Sequence, residues 1–316
     1  MFVGPIETRQ EKVVLPNGLA LNVVEWLGAI GTRSSYTVLL IHGLGDAACV
    51  WRDVAPRLAG RFRVLAVDLR GHGDSDWVGD GIYKADAMAT DISHLMRLLA
   101  IGRMAVVGHS LGGAVALRLA SMCPSPIERV ILADFGPDAD PKITAHLRQR
   151  LRDAHRRYSS VEDYAGVLAE RMPLAAHDLL QWIAKETTHC SGSGTIRLKY
   201  DPAVVASREP AATWVGSSTN HSETWRLLSA IRCPVLVLRG TASSVLSAKI
   251  ANRMAHEVLS RGTLSVIPLA GHSIQIENPA AVGKALESFL DSDLSLSSDA
   301  KERCRHEQSK NGLLDV

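Results

Sequence analysis

Val106-Val107-Gly108-His109-Ser110-Leu111-Gly112-Gly113 is the stretch from which the fold can be read. The apolar run Met104 to Val107 predicts a short buried strand. Ala114 to Ser121 predicts a helix, and Gly108 to Gly112 between them fits Gly-x-Ser-x-Gly. Strand, tight turn and helix are the setting in which a serine is displayed as a nucleophile. Gly108 and Gly112 lack a Cβ, so strand and helix can approach closely around the turn. The amide of Leu111 would then sit at a helix N-terminus, where it can stabilise an oxyanion. A plain glycine-rich turn, with Ser110 capping a helix, is the competing reading.

The chain has 316 residues, which suits one large domain or one domain carrying an insertion. With 46% hydrophobic residues it can build a sizeable core, and a net charge of +2 argues against a nucleic-acid partner. No run of 18 apolar residues predicts a membrane span. Met1 to Lys12 lacks the apolar core of a signal peptide. The five cysteines are scattered, with no metal or disulfide spacing. A cytoplasmic setting is therefore expected. Asn220-His221-Ser222 matches a glycosylation sequon, which has no meaning in that setting.

Working outward, Val13 to Leu15 and Leu19 to Trp26 predict two strands joined by Pro16-Asn17-Gly18, a hairpin signal. Thr37 to Ile41, Arg63 to Asp68, Val130 to Asp134 and Pro234 to Arg239 are short apolar runs, ahead of a last strand over Thr263 to Pro268. They suit strands of a parallel sheet buried on both faces. Each leads into a loop at the carboxyl edge of the sheet, where open α/β folds bind ligands. After the first comes His42-Gly43-Leu44-Gly45-Asp46, whose Leu44 amide is the second candidate oxyanion donor. Asp68-Leu69-Arg70-Gly71-His72-Gly73-Asp74-Ser75 follows the next strand and reads as a loop held by its own charges. Helices are expected over Trp51 to Leu58, Lys84 to Leu99, Ala248 to Leu259 and Pro279 to Leu290. Asp134-Phe135-Gly136 resembles a kinase magnesium triplet, but the companion kinase motifs are missing.

From Pro137 to Ala230 the alternation stops. Ile143 to Tyr158, Val161 to Arg171 and Ala176 to Thr187 predict helices, with little strand signal, as in a lid. Trp182, Trp214 and Trp225 lie here, and Trp182 and Trp214 are pocket candidates with Gly43 and His109. The basic run His146 to Arg157 reads as a solvated helix face; attraction of an anionic substrate is the alternative. Residues 1–136 and 231–290 form the expected core, 137–230 the helical lid and 291–316 a flexible tail.

A serine hydroxyl needs a base, and the base needs orienting. His272, in Leu269-Ala270-Gly271-His272-Ser273 after the last strand, is the best placed of twelve histidines. His42 and His109 read as structural or pocket-lining, and Glu277 as an ion-pair partner. Taken together, His42 to Gly45, Asp68 to Ser75, Gly108 to Gly113 and Gly271-His272 resemble the α/β-hydrolase superfamily over residues 12 to 290. The likeness is to its small bacterial lid-bearing esterases, lactonases and amide hydrolases. That resemblance implies an eight-stranded, mostly parallel sheet flanked by helices, with a helical lid inserted after the sixth strand.

It also exposes a departure. Most relatives take the acid from the loop after the lid, where this chain has Ser243-Ser244-Val245-Leu246-Ser247, with Ser244 at the position of the Asp. Some members draw the acid from the end of the strand after the nucleophile, and Asp134 stands there. The expected site is Ser110, His272 and Asp134, with Leu44 and Leu111 as oxyanion donors and no metal or organic cofactor. The expected activity is hydrolysis of a small-molecule ester, lactone or amide. C–C bond hydrolysis and ligand binding with weak turnover are the alternatives. Oligomeric state is not readable from the sequence.

Overall fold

The computed structural model describes residues 7–28, 34–190, 192, 194–206 and 221–292. Strands β1 (Thr8–Val14) and β2 (Ala20–Trp26) form the expected hairpin. Gly18, at φ +84°, supplies the left-handed turn residue, and Asn17 Oδ1 accepts from the Leu19 amide. Then follow β3 (Tyr36–Ile41), α1 (Ala55–Ala59), β4 (Arg63–Val67), α2 (Ala85–Leu98), β5 (Arg103–His109), α3 (Leu111–Met122) and β6 (Ile127–Ala133). After an intervening segment come β9 (Val235–Gly240), α9 (Ala248–Arg253), β10 (Gly262–Ile267), α10 (Ile274–Glu277) and α11 (Pro279–Asp291). The large sheet has eight strands in the order β1-β2-β4-β3-β5-β6-β9-β10. Pairing is antiparallel at β1-β2 and β2-β4 and parallel elsewhere.

Register places the site. Ile41 pairs with Gly108, Gly108 with Leu132, and Ala133 with Leu238. The residues just beyond these pairs, His42, Ser110, Asp134 and Gly240, therefore emerge at one sheet edge. β3 sits between β4 and β5, so the chain reverses direction of winding there and opens a crevice above the strand ends. The apolar runs explain why these strands are central: every residue of β3 is buried, as are Met104 to Val107 of β5. α2 packs on α3, and α1 packs on α11, where Arg57 pairs with Glu287 at 2.8 Å.

Between β6 and β9 lie α4 (Pro141–Ala154), α5 (Val161–Arg171), α6 (His177–Glu186), β7 (Thr188–Cys190), β8 (Ile196–Leu198), α7 (Pro202–Ala206) and α8 (His221–Ala230). α4, α5 and α6 match the three periodic stretches, and α7 and α8 are additional. β7 and β8 form an antiparallel pair that the sequence reading missed. Each is three residues long, too short to show a period. The expected tail falls almost wholly on residues 293–316, and Trp214 on 207–220, both outside the described residues. No helix of the described residues is long and apolar enough to cross a membrane.

Candidate active site

The turn between β5 and α3 holds Ser110 at φ +50°, ψ −114°, an unfavourable conformation for a residue with a Cβ. Close packing imposes it. A Cβ on Gly112 would overlap the Ile41 carbonyl and lie 2.6 Å from the His42 oxygen. A Cβ on Gly108 would overlap the Gly112 carbonyl. Ser110 is 8% exposed and lines a cavity.

His272 and Asp134 complete a hydrogen-bonded chain. His272 Nε2 lies 3.1 Å from Ser110 Oγ, and its Nδ1 lies 2.7 Å from Asp134 Oδ2. The ring is therefore arranged to donate to the carboxylate from Nδ1 and to accept from the serine at Nε2. Asp134 is fully buried and sits at φ +47°, a turn that swings its carboxylate from the end of β6 toward β9. Gly240 N donates to Oδ1 at 3.1 Å, and Ser243 Oγ donates to Oδ2 at 2.6 Å. Ser243 also accepts from the amides of Val245 and Leu246 at 3.2 and 3.1 Å. Ser244, which the sequence reading put at the usual acid position, is exposed. Ser243 is the side chain beside the acid. One residue of register in an irregular loop decides which side chain faces in, and no periodicity reports it.

Two further histidines fix the walls. His42 lies with Nδ1 2.7 Å from the Gly43 carbonyl and accepts from the Leu69 amide at Nε2, 3.0 Å, pinning the loop that carries Leu44. Burial lowers its pKa to about 4, so the ring is neutral near pH 7. His109 Nε2 is 2.8 Å from the His272 carbonyl, and Gln275 donates to its Nδ1 at 3.2 Å. Burial first, then the neighbouring His272 charge, holds His109 well below the usual histidine range. Glu277 accepts from the Gly271 amide at 2.8 Å and so steadies the His272 turn, rather than forming the expected ion pair. Burial raises its pKa. In the 68–75 loop, Asp68 accepts from Ala48 N and Asn22 as well as from Asp74 N. Arg70 leaves the loop altogether and forms a bidentate pair with Asp91 of α2, at 2.5 and 2.6 Å.

Leu44, His109, Ser110, Leu111 and His272 line the cavity, and α4 and α5 contribute Thr144, Leu147, Arg148, Leu151 and Arg171. Arg148 is 8% exposed, so the basic run is not simply a solvated face: one of its arginines turns inward. Gly43 lies behind the wall, where a Cβ would stand 2.7 Å from His109 Nδ1. Trp182 is not in this cavity. It lines a separate one with Trp26 and Arg52, and the Arg52 guanidinium stacks 4.5 Å above its ring. Trp225 donates to Asp138 at 3.1 Å, a packing role. Among the described residues no group of three or more His, Cys, Asp or Glu side chains is arranged to hold a metal ion.

A model of the alpha/beta hydrolase family matches residues 38–285. The 2-(acetamidomethylene)succinate hydrolase of Mesorhizobium japonicum is 29% identical over 257 residues, 80% of this chain and 87% of that one. An esterase of Mycobacterium tuberculosis is 28% identical over 284 residues, 86% of this chain and 87% of the other. The crystal structure of an E-2-(acetamidomethylene)succinate hydrolase superposes with a TM-score of 0.79 at 27% identity, covering 90% of this chain and all of that one.

Proposed function

The chain belongs to the alpha/beta hydrolase family, and from that premise we propose a serine hydrolase that cleaves a small-molecule ester, lactone or amide through an acyl-enzyme. The observation that carries the proposal is the chain from Ser110 Oγ through His272 to Asp134, at 3.1 and 2.7 Å. Ser110 attacks the carbonyl carbon while His272 takes its proton. Asp134 holds the imidazole tautomer and stabilises the imidazolium. The amides of Leu44 and Leu111 receive the oxyanion, each donor worth about 3 kcal/mol. His272 then protonates the leaving group. Water, deprotonated by the same ring, releases the acid.

The substrate in this reading carries a carboxylate. Arg148 and Arg171 are the two cations of the cavity lining, on the side formed by α4 and α5, which act as the lid. A guanidinium in a half-dry site pairs with a planar carboxylate in two parallel hydrogen bonds. The Mesorhizobium relative, named for a succinate, supports the same class.

The test is intact mass after exposure to a fluorophosphonate. Wild type gains one adduct, Ser110→Ala gains none, and Asp134→Asn labels at least about 100-fold more slowly. A folded wild type that stays unlabelled by this and by a smaller probe removes the serine nucleophile, and leaves a ligand-binding protein on a hydrolase scaffold. Asp134→Asn labelling at the wild-type rate removes the assigned acid.

A further inference from the structure

Asp46 is a titratable group in the cavity that the reaction above does not use. It ends the loop that carries Leu44. Its amide donates to the Gly43 carbonyl at 3.2 Å, closing a turn that sets its side chain two residues from the Leu44 amide. Its side chain is 23% exposed, and it lines the cavity with Ser110 and His272. The groups that face it are His109, whose Nδ1 is 3.8 Å from Oδ2, with Arg171 and His272 further off. His109 offers it no proton, because that ring nitrogen already accepts from Gln275. Burial raises the pKa of Asp46, and the Arg171 and His272 charges and a hydrogen bond from the Gly43 backbone pull it back. A carboxylate has acceptor capacity beyond that single donor.

We infer that Asp46 is a specificity-determining residue: its carboxylate accepts a hydrogen bond from an N–H that the substrate carries close to the carbonyl attacked by Ser110. The inference rests on the serine-hydrolase reading and deepens it. With the arginines on the α4–α5 side and Asp46 on the loop side, the cavity suits a carboxylate that also bears a secondary amide. A site built around a buried acceptor rejects an analogue lacking the donor far more strongly than it rejects one altered methyl group. An apolar or purely anionic substrate would leave the remaining acceptor capacity of Asp46 unused beside the reacting atoms.

The experiment uses a matched pair of probes, 4-nitrophenyl N-acetylglycinate and its N-methyl counterpart, 4-nitrophenyl N-acetylsarcosinate, with rates corrected for enzyme-free hydrolysis. Wild type is expected to favour the N–H ester by roughly 100-fold in kcat/KM, as for the loss of one hydrogen bond to a charged acceptor. Asp46→Leu, which removes the acceptor at similar volume, brings that ratio close to one. Asp46→Asn, which keeps an acceptor oxygen and loses the charge, gives an intermediate ratio. Fluorophosphonate labelling of each variant checks that the site is assembled, since that probe carries no N–H donor. If Asp46 acts only on His272, the pH profiles of both esters shift together and the ratio stays at the wild-type value, which overturns the inference. A wild-type ratio near one in an enzyme that labels also overturns it and leaves the serine nucleophile standing. Failure of a folded wild type to label with this and with a smaller probe overturns the nucleophile itself.

Discussion

At the scale of single residues, Ser243 decides how well the acid works. Its hydroxyl and the His272 ring share one oxygen of Asp134, at 2.6 and 2.7 Å. Removing the hydroxyl leaves a buried carboxylate with one fewer donor and frees two backbone amides, Val245 and Leu246. Ser243→Ala is expected to lower kcat by about tenfold and stability by about 1–2 kcal/mol, with Ser243→Thr restoring most of both. An unchanged kcat would show that the hydroxyl only caps the turn. The candidate acid was legible in the sequence because Asp134 ends an apolar strand. Ser243 was not, since its role depends on where one loop turns.

At the scale of elements, the site is a consequence of strand ends held in register by tight β-α crossings. Gly112 stands where α3 touches the end of β3, against the carbonyls of Ile41 and His42. Those atoms are backbone in a central strand, so they cannot rotate away. Gly112→Ala must push α3 off β3 and separate the amides of Leu44 and Leu111. The expected result is a stability loss of about 2 kcal/mol or more, read from urea unfolding, and labelling slowed by at least about 100-fold in the fraction that folds. Wild-type labelling in a folded Gly112→Ala protein would mean that the two amides are not coupled through this crossing. Continuous apolar runs and glycine-rich loops announce this architecture directly, because a strand buried on both faces admits few polar residues. The β7-β8 pair carries no such signature, and Trp182, apolar and within the expected lid, packs on Arg52 outside the cavity.

At the scale of the whole molecule, burying histidines ties stability to pH. His42 and His72 are both fully buried, 5.0 Å apart ring to ring, beneath the loops after β3 and β4. Burial lowers their pKa values to about 4 and about 3, from 6.5. Each ring binds its proton in the unfolded chain before it does so in the folded one. The stabilisation is therefore complete above about pH 6.5 and is lost as pH falls toward the folded values, by up to about 1.4 kcal/mol per pH unit for each ring. Asp46, Asp68 and Glu277, raised by burial, work with the opposite sign close to the ordinary carboxylate range. A single-variant difference separates the two contributions. His72→Phe keeps the ring volume and removes one titrating group, so its fixed cost cancels when two pH values are compared. The urea stability gap between wild type and His72→Phe is expected to shift in favour of the variant, by about 1.4 kcal/mol per pH unit between pH 6 and pH 4. A gap that stays constant over that range would mean that His72 reaches water in the folded protein, and that the loops after β3 and β4 open at acid pH before the sheet does.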